Sequence, residues 1–188
     1  FLLSVSLIFI AFIMRSADTY NFTSLDVKDG VPDNFIHEIL RDEYGFMWFI
    51  SGQVLTRYDG YDFKHYELPV PGWHAYYLLK EDKYHNIWVR TNECYFFYDK
   101  VADRLEDDLG ELIDYPGVGS GFVFFDVDYD GNLWFSITEG ELVYYRGKDD
   151  CQVFIYPAER DLVAIESRDG HALLLFSDGQ VCTAESGT

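Results

Sequence analysis

Asp126, Asp128 and Asp130 alternate in the stretch DVDYDGNLWF and run into Gly131, the spacing with which many calcium loops begin. If they were positions 1, 3, 5 and 6 of a twelve-residue loop, position 12 should be a bidentate glutamate. That place holds Ile137, and position 9 holds Trp134. The competing reading is a hairpin turn, in which an aspartate side chain caps the backbone and glycine supplies the positive φ. Other chemistry is sparse. The histidines His37, His65, His74, His85 and His171 show no metal-ligand spacing, and no nucleophile elbow, zinc-protease helix motif or phosphate loop is present. Arg15, Arg41, Arg57, Arg90, Arg104, Arg146, Arg160 and Arg168 lie mostly in turns or at strand ends. A hydrolase of acidic sugars would instead gather arginines at one place beside its carboxylates. These residues point to binding without catalysis and without a cofactor. The three aspartates remain a weak candidate for metal.

The aspartate turn is one of a series. Trp48 lies in DEYGFMWFIS, Trp88 in DKYHNIWVRT and Trp134 in DYDGNLWFSIT, at intervals of 40 and 46 residues; a fourth copy, RDGHALLLFSDGQ, puts Leu173 in the tryptophan's place 39 residues on. Asp42, Asp82 and Asp128 fall level in this frame, as do Gly45, Gly131 and Gly170, with His85 in the glycine's place in the second copy. An apolar strand precedes each copy (FIHEIL, AYYLLK, FVFFDV, LVAIES). An aromatic or apolar one follows (VLTRYD, CYFFYD, ELVYYR, QVCTA), and FKHYEL and CQVFIYP read as fourth strands. No window sustains helical periodicity. VADRLEDDLGEL, residues 101–112, comes nearest and is expected to be an insertion loop with one helical turn, which accounts for the longer interval.

Units of about 40 to 45 residues with four strands define β-propeller blades, which bury their faces only by stacking on one another. The expected fold is therefore all-β, with about four blades of four antiparallel strands forming an incomplete propeller. The tryptophans should fill the seams between blades. Composition agrees: aromatics are 19% of the chain, and such side chains suit pleated surfaces. The net charge of −19 argues against nucleic acid as a partner. Residues 1–17 open with the apolar run FLLSVSLIFIAFIM, which is short for a membrane span and suits the core of an export signal or an anchor; residues 18–188 carry the blades. Cys94, Cys151 and Cys182 lack paired spacing and are expected as buried free thiols. Trp73 stands outside the repeat frame, in the connection between the first two units. With His74 and Tyr76 it forms the candidate ligand-contact patch, the competing reading being a loop aromatic that plugs the blade seam.

The stretch from Leu25 to Tyr66 resembles the two-component regulator propeller repeats. Asp29-Gly30-Val31-Pro32 matches the start of the repeat, Asp42 with Gly45 and Trp48 its middle, and Arg57-Tyr58-Asp59-Gly60 with Phe63 and Tyr66 its end. The likeness is strongest in the first unit and weaker in the second and fourth. Departures are the shortened Ser51-Gly52-Gln53-Val54-Leu55, His85 at a turn glycine and Leu173 at a tryptophan. The resemblance implies the periplasmic sensor of a hybrid two-component histidine kinase of Bacteroidetes. Such a sensor is an ectodomain of an inner-membrane protein that dimerises, binds an oligosaccharide or another periplasmic ligand, and controls glycan utilisation genes. It also implies further blades and downstream sensor domains as partners. The alternatives are an exported propeller glycoside hydrolase with Asp-box turns, or a non-enzymatic propeller that binds proteins.

Overall fold

The computed structural model describes residues 22–70, 77–91, 94–110, 112–118, 122, 124–168 and 170–186. Four antiparallel sheets follow one another along the chain. Blade 1 consists of β1 (Ile36–Arg41), β2 (Met47–Ser51), β3 (Val54–Tyr58) and β4 (Phe63–Glu67). Blade 2 holds β5 (Tyr77–Glu81), β6 (Ile87–Thr91), β7 (Tyr95–Asp99) and β8 (Arg104–Glu106). Blade 3 holds β9 (Phe124–Val127), β10 (Leu133–Ser136), β11 (Glu141–Gly147) and β12 (Asp150–Ile155). Blade 4 holds β13 (Leu162–Arg168), β14 (His171–Phe176) and β15 (Val181–Glu185). In every sheet the strands pair in chain order, each with the next. The first strands of adjacent blades lie side by side, β1 against β5 and β9 against β13.

The expected four-strand blades are therefore present, with three strands in blade 4. One element was not read from the sequence. Arg104–Glu106 is the fourth strand of blade 2, paired Phe97 to Glu106 and Asp99 to Arg104. Its three residues are mostly charged and carry no apolar alternation, because an outermost strand needs little packing. The insertion proper follows it. The Ile113 amide donates to the Leu109 carbonyl at 2.8 Å, a single helical turn, and Leu109, Ile113 and Val118 are buried against blade 3.

Second strands show what stacking does. β2, β6 and β10 are buried along nearly their whole length; β6 and β10 lie between two blades, whereas β2 has blade 2 on one side and the segment before β1, through Asp33, at its end. Three apolar clusters mark the seams. Trp48, Ile50 and Leu55 of blade 1 pack against Tyr77, Leu79, Ile87, Val89 and Phe96 of blade 2. Trp88 packs into blade 3, and Trp134 joins Leu162, Ile165, Leu174 and Phe176 of blade 4. Each tryptophan thus fills the seam ahead of its own blade.

Blade 4 departs from the frame. In blades 1 to 3, five residues separate the first and second strands, since Arg41 pairs with Met47, Glu81 with Ile87 and Val127 with Leu133. In blade 4, Arg168 pairs with His171, leaving a two-residue turn. The residue in the tryptophan's register is then Ala172, fully buried, whereas Leu173 points outward and is 49% exposed. Counting from the glycine misplaces the side chain by one, and in a strand one residue means the opposite face.

The cysteines also differ from expectation. Cys151 on the outer strand β12 and Cys182 on β15 are exposed, and Cys94 is half-buried; all three are free thiols. Apolar neighbours in sequence did not imply burial, because side chains alternate faces along these strands.

A cluster at the outer end of the first seam ties blade 1 to blade 2. Tyr66 and Tyr98 each donate a hydroxyl to Asp103 Oδ1 at 2.7 Å, Lys64 pairs with the same carboxylate, and Arg57 Nη1 donates to Tyr98 Oη at 3.0 Å. Lys64 first, then the two hydroxyls, hold Asp103 well below the usual carboxylate range. Burial first, then its bonds to Tyr98 and Asp103, raises Tyr66 far above an ordinary phenol. Burial likewise raises Tyr77, Tyr95, Tyr98, Tyr115 and Tyr144.

The signs give stability a defined dependence on pH. A depressed Asp103 stabilises the fold above roughly pH 4, the unfolded carboxylate's range, and that contribution fades as the pH falls through its folded value. The buried phenols stay neutral in the fold while those of the unfolded chain ionise near pH 10, so stability falls above about that pH. Melting temperature measured against pH should therefore drop on both sides. Asp103→Asn should flatten the acid limb and leave the alkaline one, and a melting temperature that does not fall above about pH 10 would contradict the burial of these phenols.

Candidate functional site

Antiparallel pairing sorts the loops onto two faces. Turns 42–46, 82–86 and 128–132 lie on one face with the turns between third and fourth strands, and the connections from blade to blade lie on the other.

On the turn face, the recurring aspartates act on backbone and tryptophan together. Asp42 accepts the Phe46 amide at 2.8 Å and the Trp48 indole N–H at 2.7 Å. Asp82 accepts the Asn86 amide at 2.9 Å and the Trp88 indole at 3.1 Å. Asp128 accepts the Asn132 amide at 2.9 Å and the Asn132 side-chain amide at 3.2 Å, while the Trp134 indole N–H has no partner among the described residues. All three carboxylates are buried. One side chain therefore closes the turn, and in two blades it also fixes the seam tryptophan.

Glycine is required where one turn meets the next. Gly131 has φ +78°, and a Cβ there would meet the Tyr84 ring at 3.1 Å and Asp82 Oδ2 at 3.2 Å. His85 occupies the same turn position in blade 2 with φ 61°. A side chain in that region costs about 1 kcal/mol.

The three alternating aspartates have separate duties. Asp130 pairs with Lys83 at 2.9 Å on the surface, and Asp128 closes its turn. Asp126, 2% exposed, receives Lys80 Nζ from β5 at 2.7 and 2.8 Å and the amide and hydroxyl of Ser167 from β13, both at 2.7 Å. Lys80 also reaches Glu166 at 3.2 Å. Asp126 thus joins the first strands of three consecutive blades. Among the described residues no group of three acidic, histidine or cysteine side chains could hold a metal ion.

Trp73, His74 and Tyr76, the candidate ligand-contact patch, lie outside the described residues. The described residues that flank them, Val70 and Tyr77, are buried. A cleft of about 300 Å³ is lined by Pro69, Cys94, Tyr95 and Phe96 and by Asp107, Asp108 and Leu109 of the insertion. The turn face carries two seam grooves. One, of about 310 Å³, lies between blades 1 and 2 beside Asp42, Tyr44, Arg57, His85 and Lys100. The other, of about 210 Å³, lies between blades 2 and 3 beside Asp82, Tyr84, Phe97, Gly131 and Arg146. Sequence reasoning missed these grooves, because each combines residues about forty positions apart whose proximity follows only from blade stacking. The signal was available in the turn histidine that replaces a glycine.

No protein-family model matches the chain, and no curated protein matches it. Solved structures do. The extracellular domain of the putative hybrid two-component system BT3049 from B. thetaiotaomicron superposes with a TM-score of 0.57 at 16% identity, over 89% of this chain and 25% of that one. The corresponding domain of BT4673 from the same organism gives 0.55 at 18% identity, over 89% and 24%. YCF48 bound to D1 peptide gives 0.50 at 12% identity, over 81% and 51%. This chain therefore spans about a quarter of the length of the two-component extracellular domains it matches. At these identities the likeness establishes a shared fold, and it agrees with the resemblance carried by residues 25–66.

Proposed function

We propose that this chain is the ligand-sensing, extracytoplasmic propeller portion of a hybrid two-component sensor histidine kinase, and that it works by binding. The observation that carries this reading is the likeness of its blades to two extracellular domains of such systems over 89% of the chain. The engagement of its acidic residues supports it: Asp42, Asp82, Asp126 and Asp128 are all buried and bonded within turns and seams.

The ligand is an oligosaccharide released from a glycan, and the output is expression of polysaccharide utilisation genes. The ectodomain lies in the periplasm and is dimeric. Ligand binding shifts the relative arrangement of the two protomers, and the kinase reads that shift, as any ligand with different affinity for two arrangements requires.

Calorimetric titration of the complete ectodomain against glycan oligosaccharides is expected to find one class that binds saturably and is recovered intact. Ligand of that class should also change autophosphorylation of the full-length kinase. Hydrolysis of the test sugars, or saturable binding with no change in kinase output, would sink the sensing reading.

A further inference from the structure

The groove between blades 1 and 2 gathers three basic side chains in a chain whose net charge is −19. Arg57 comes from β3, directly opposite Trp48; His85 comes from the first turn of blade 2, and Lys100 from the turn after β7. Six other cations, Lys64, Lys80, Lys83, Arg104, Arg146 and Lys148, are paired with carboxylates. Arg57 and Lys100 instead hold neutral oxygens, the Tyr98 hydroxyl at 3.0 Å and the Tyr84 carbonyl at 2.8 Å, and neither forms an ion pair among the described residues. The nearby carboxylates are already occupied. Asp42 holds the Phe46 amide and the Trp48 indole, and Glu81 holds the Glu43 amide at 3.2 Å and His85 Nδ1 at 3.0 Å.

The next seam supplies an internal comparison. Its groove repeats the same positions, with Asp82, Tyr84 and Trp88 for Asp42, Tyr44 and Trp48. Phe97 stands at Arg57's place opposite the tryptophan, and Gly131 stands at His85's place in the turn. Its one cation, Arg146, is paired with Asp150 at 2.8 Å. The second seam therefore closes with neither an arginine nor a histidine at these places. His85 in particular adopts φ 61°, where the sister turns have glycine, and such local strain is retained where a side chain has work to do. The walls are aromatic: Tyr44, 65% exposed, meets the His85 ring edge-on at 5.0 Å, and the Arg57 guanidinium lies over Phe46 at 5.0 Å.

We propose that this groove binds a small carboxylate carried on a ring, which bridges blade 1 to blade 2. The guanidinium of Arg57 offers the planar fork that matches a carboxylate, and Lys100 and His85 add donors from the facing blade. The ring lies against Tyr44, whose face accepts either an aromatic ring or the apolar face of a sugar. The groove volume of about 310 Å³ suits a ligand of one ring. The site stands independently of the sensing reading, since it concerns binding alone.

The test is calorimetric titration of the full chain with benzoate, with glucuronate, and with benzamide as the neutral counterpart. At least one acid should bind saturably, the tighter one identifying the type of ring, and benzamide should bind at least tenfold more weakly than benzoate if benzoate is that acid. Arg57→Gln should weaken the acid at least tenfold. His85→Gly, which installs the residue of the sister turns and should fold at least as well, should weaken it severalfold, and Arg146→Gln should leave it unchanged. Failure of both acids to bind, benzamide binding as tightly as benzoate where benzoate is the acid that binds, or unchanged affinity in well-folded His85→Gly and Arg57→Gln would overturn the proposal.

Discussion

Trp48→Ala should lower the free energy of unfolding by about 4 kcal/mol, within the range for removing a fully buried aromatic. Trp48 is 2% exposed and sits where two sheets meet, 4.9 Å from the Tyr98 ring and 6.0 Å from that of Tyr66. Neither sheet can collapse into the space without shifting its own ladder, so a cavity would persist. The variant also deprives Asp42, a buried carboxylate, of its indole donor. Trp48→Phe separates the two effects. It keeps most of the packing and loses the bond to a charged acceptor, for an expected cost of about 2 kcal/mol. Urea denaturation of both variants measures the difference. A loss below about 1 kcal/mol for the alanine would mean that the seam closes by other contacts.

The second large effect is expected at Asp126. Asp126→Ala should cost about 3 kcal/mol, because it leaves the Lys80 ammonium and two donors of Ser167 without their shared acceptor. Lys80 retains Glu166 at 3.2 Å and keeps 20% of its side chain exposed, which holds the penalty below that of a fully enclosed charge. Removing both charges while keeping volume, as in Lys80→Met with Asp126→Leu, should recover more than half of the loss. A buried pair is far more harmful to break than to replace. Denaturation of the two single variants and the double variant tests this directly. Additive losses would show that Asp126 acts through Ser167 rather than through Lys80.

The repeat was readable because blade stacking imposes it on the sequence. A tryptophan must recur wherever a seam must be filled, and an aspartate must recur wherever a five-residue turn must be closed. Hence the spacing of Trp48, Trp88 and Trp134, with Asp42, Asp82 and Asp128 six residues earlier, revealed both sheet order and seam. The fourth copy was legible only in outline, because its two-residue turn shifts the register and places Ala172, an inconspicuous residue, in the slot. The short strand Arg104–Glu106 was hidden because an outer strand carries little packing constraint. Asp126 looked like half of a metal loop. Its real partners, Lys80 and Ser167, lie about forty residues away on either side, and no local pattern announces them. The basic groove was invisible for the same reason.

The forward placement of the tryptophans has a genetic consequence. A segment of about forty residues copied within the gene carries a Trp strand that fits the blade ahead of it. Its inner face is already shaped to receive the tryptophan of the blade behind. Tandem duplication can therefore lengthen such a chain by whole blades without inventing a new interface. The ancestral unit need have solved the problem of self-recognition only once. Arg57, His85 and Lys100, which lack counterparts at the next seam, are then what distinguishes one copy of this interface from the next.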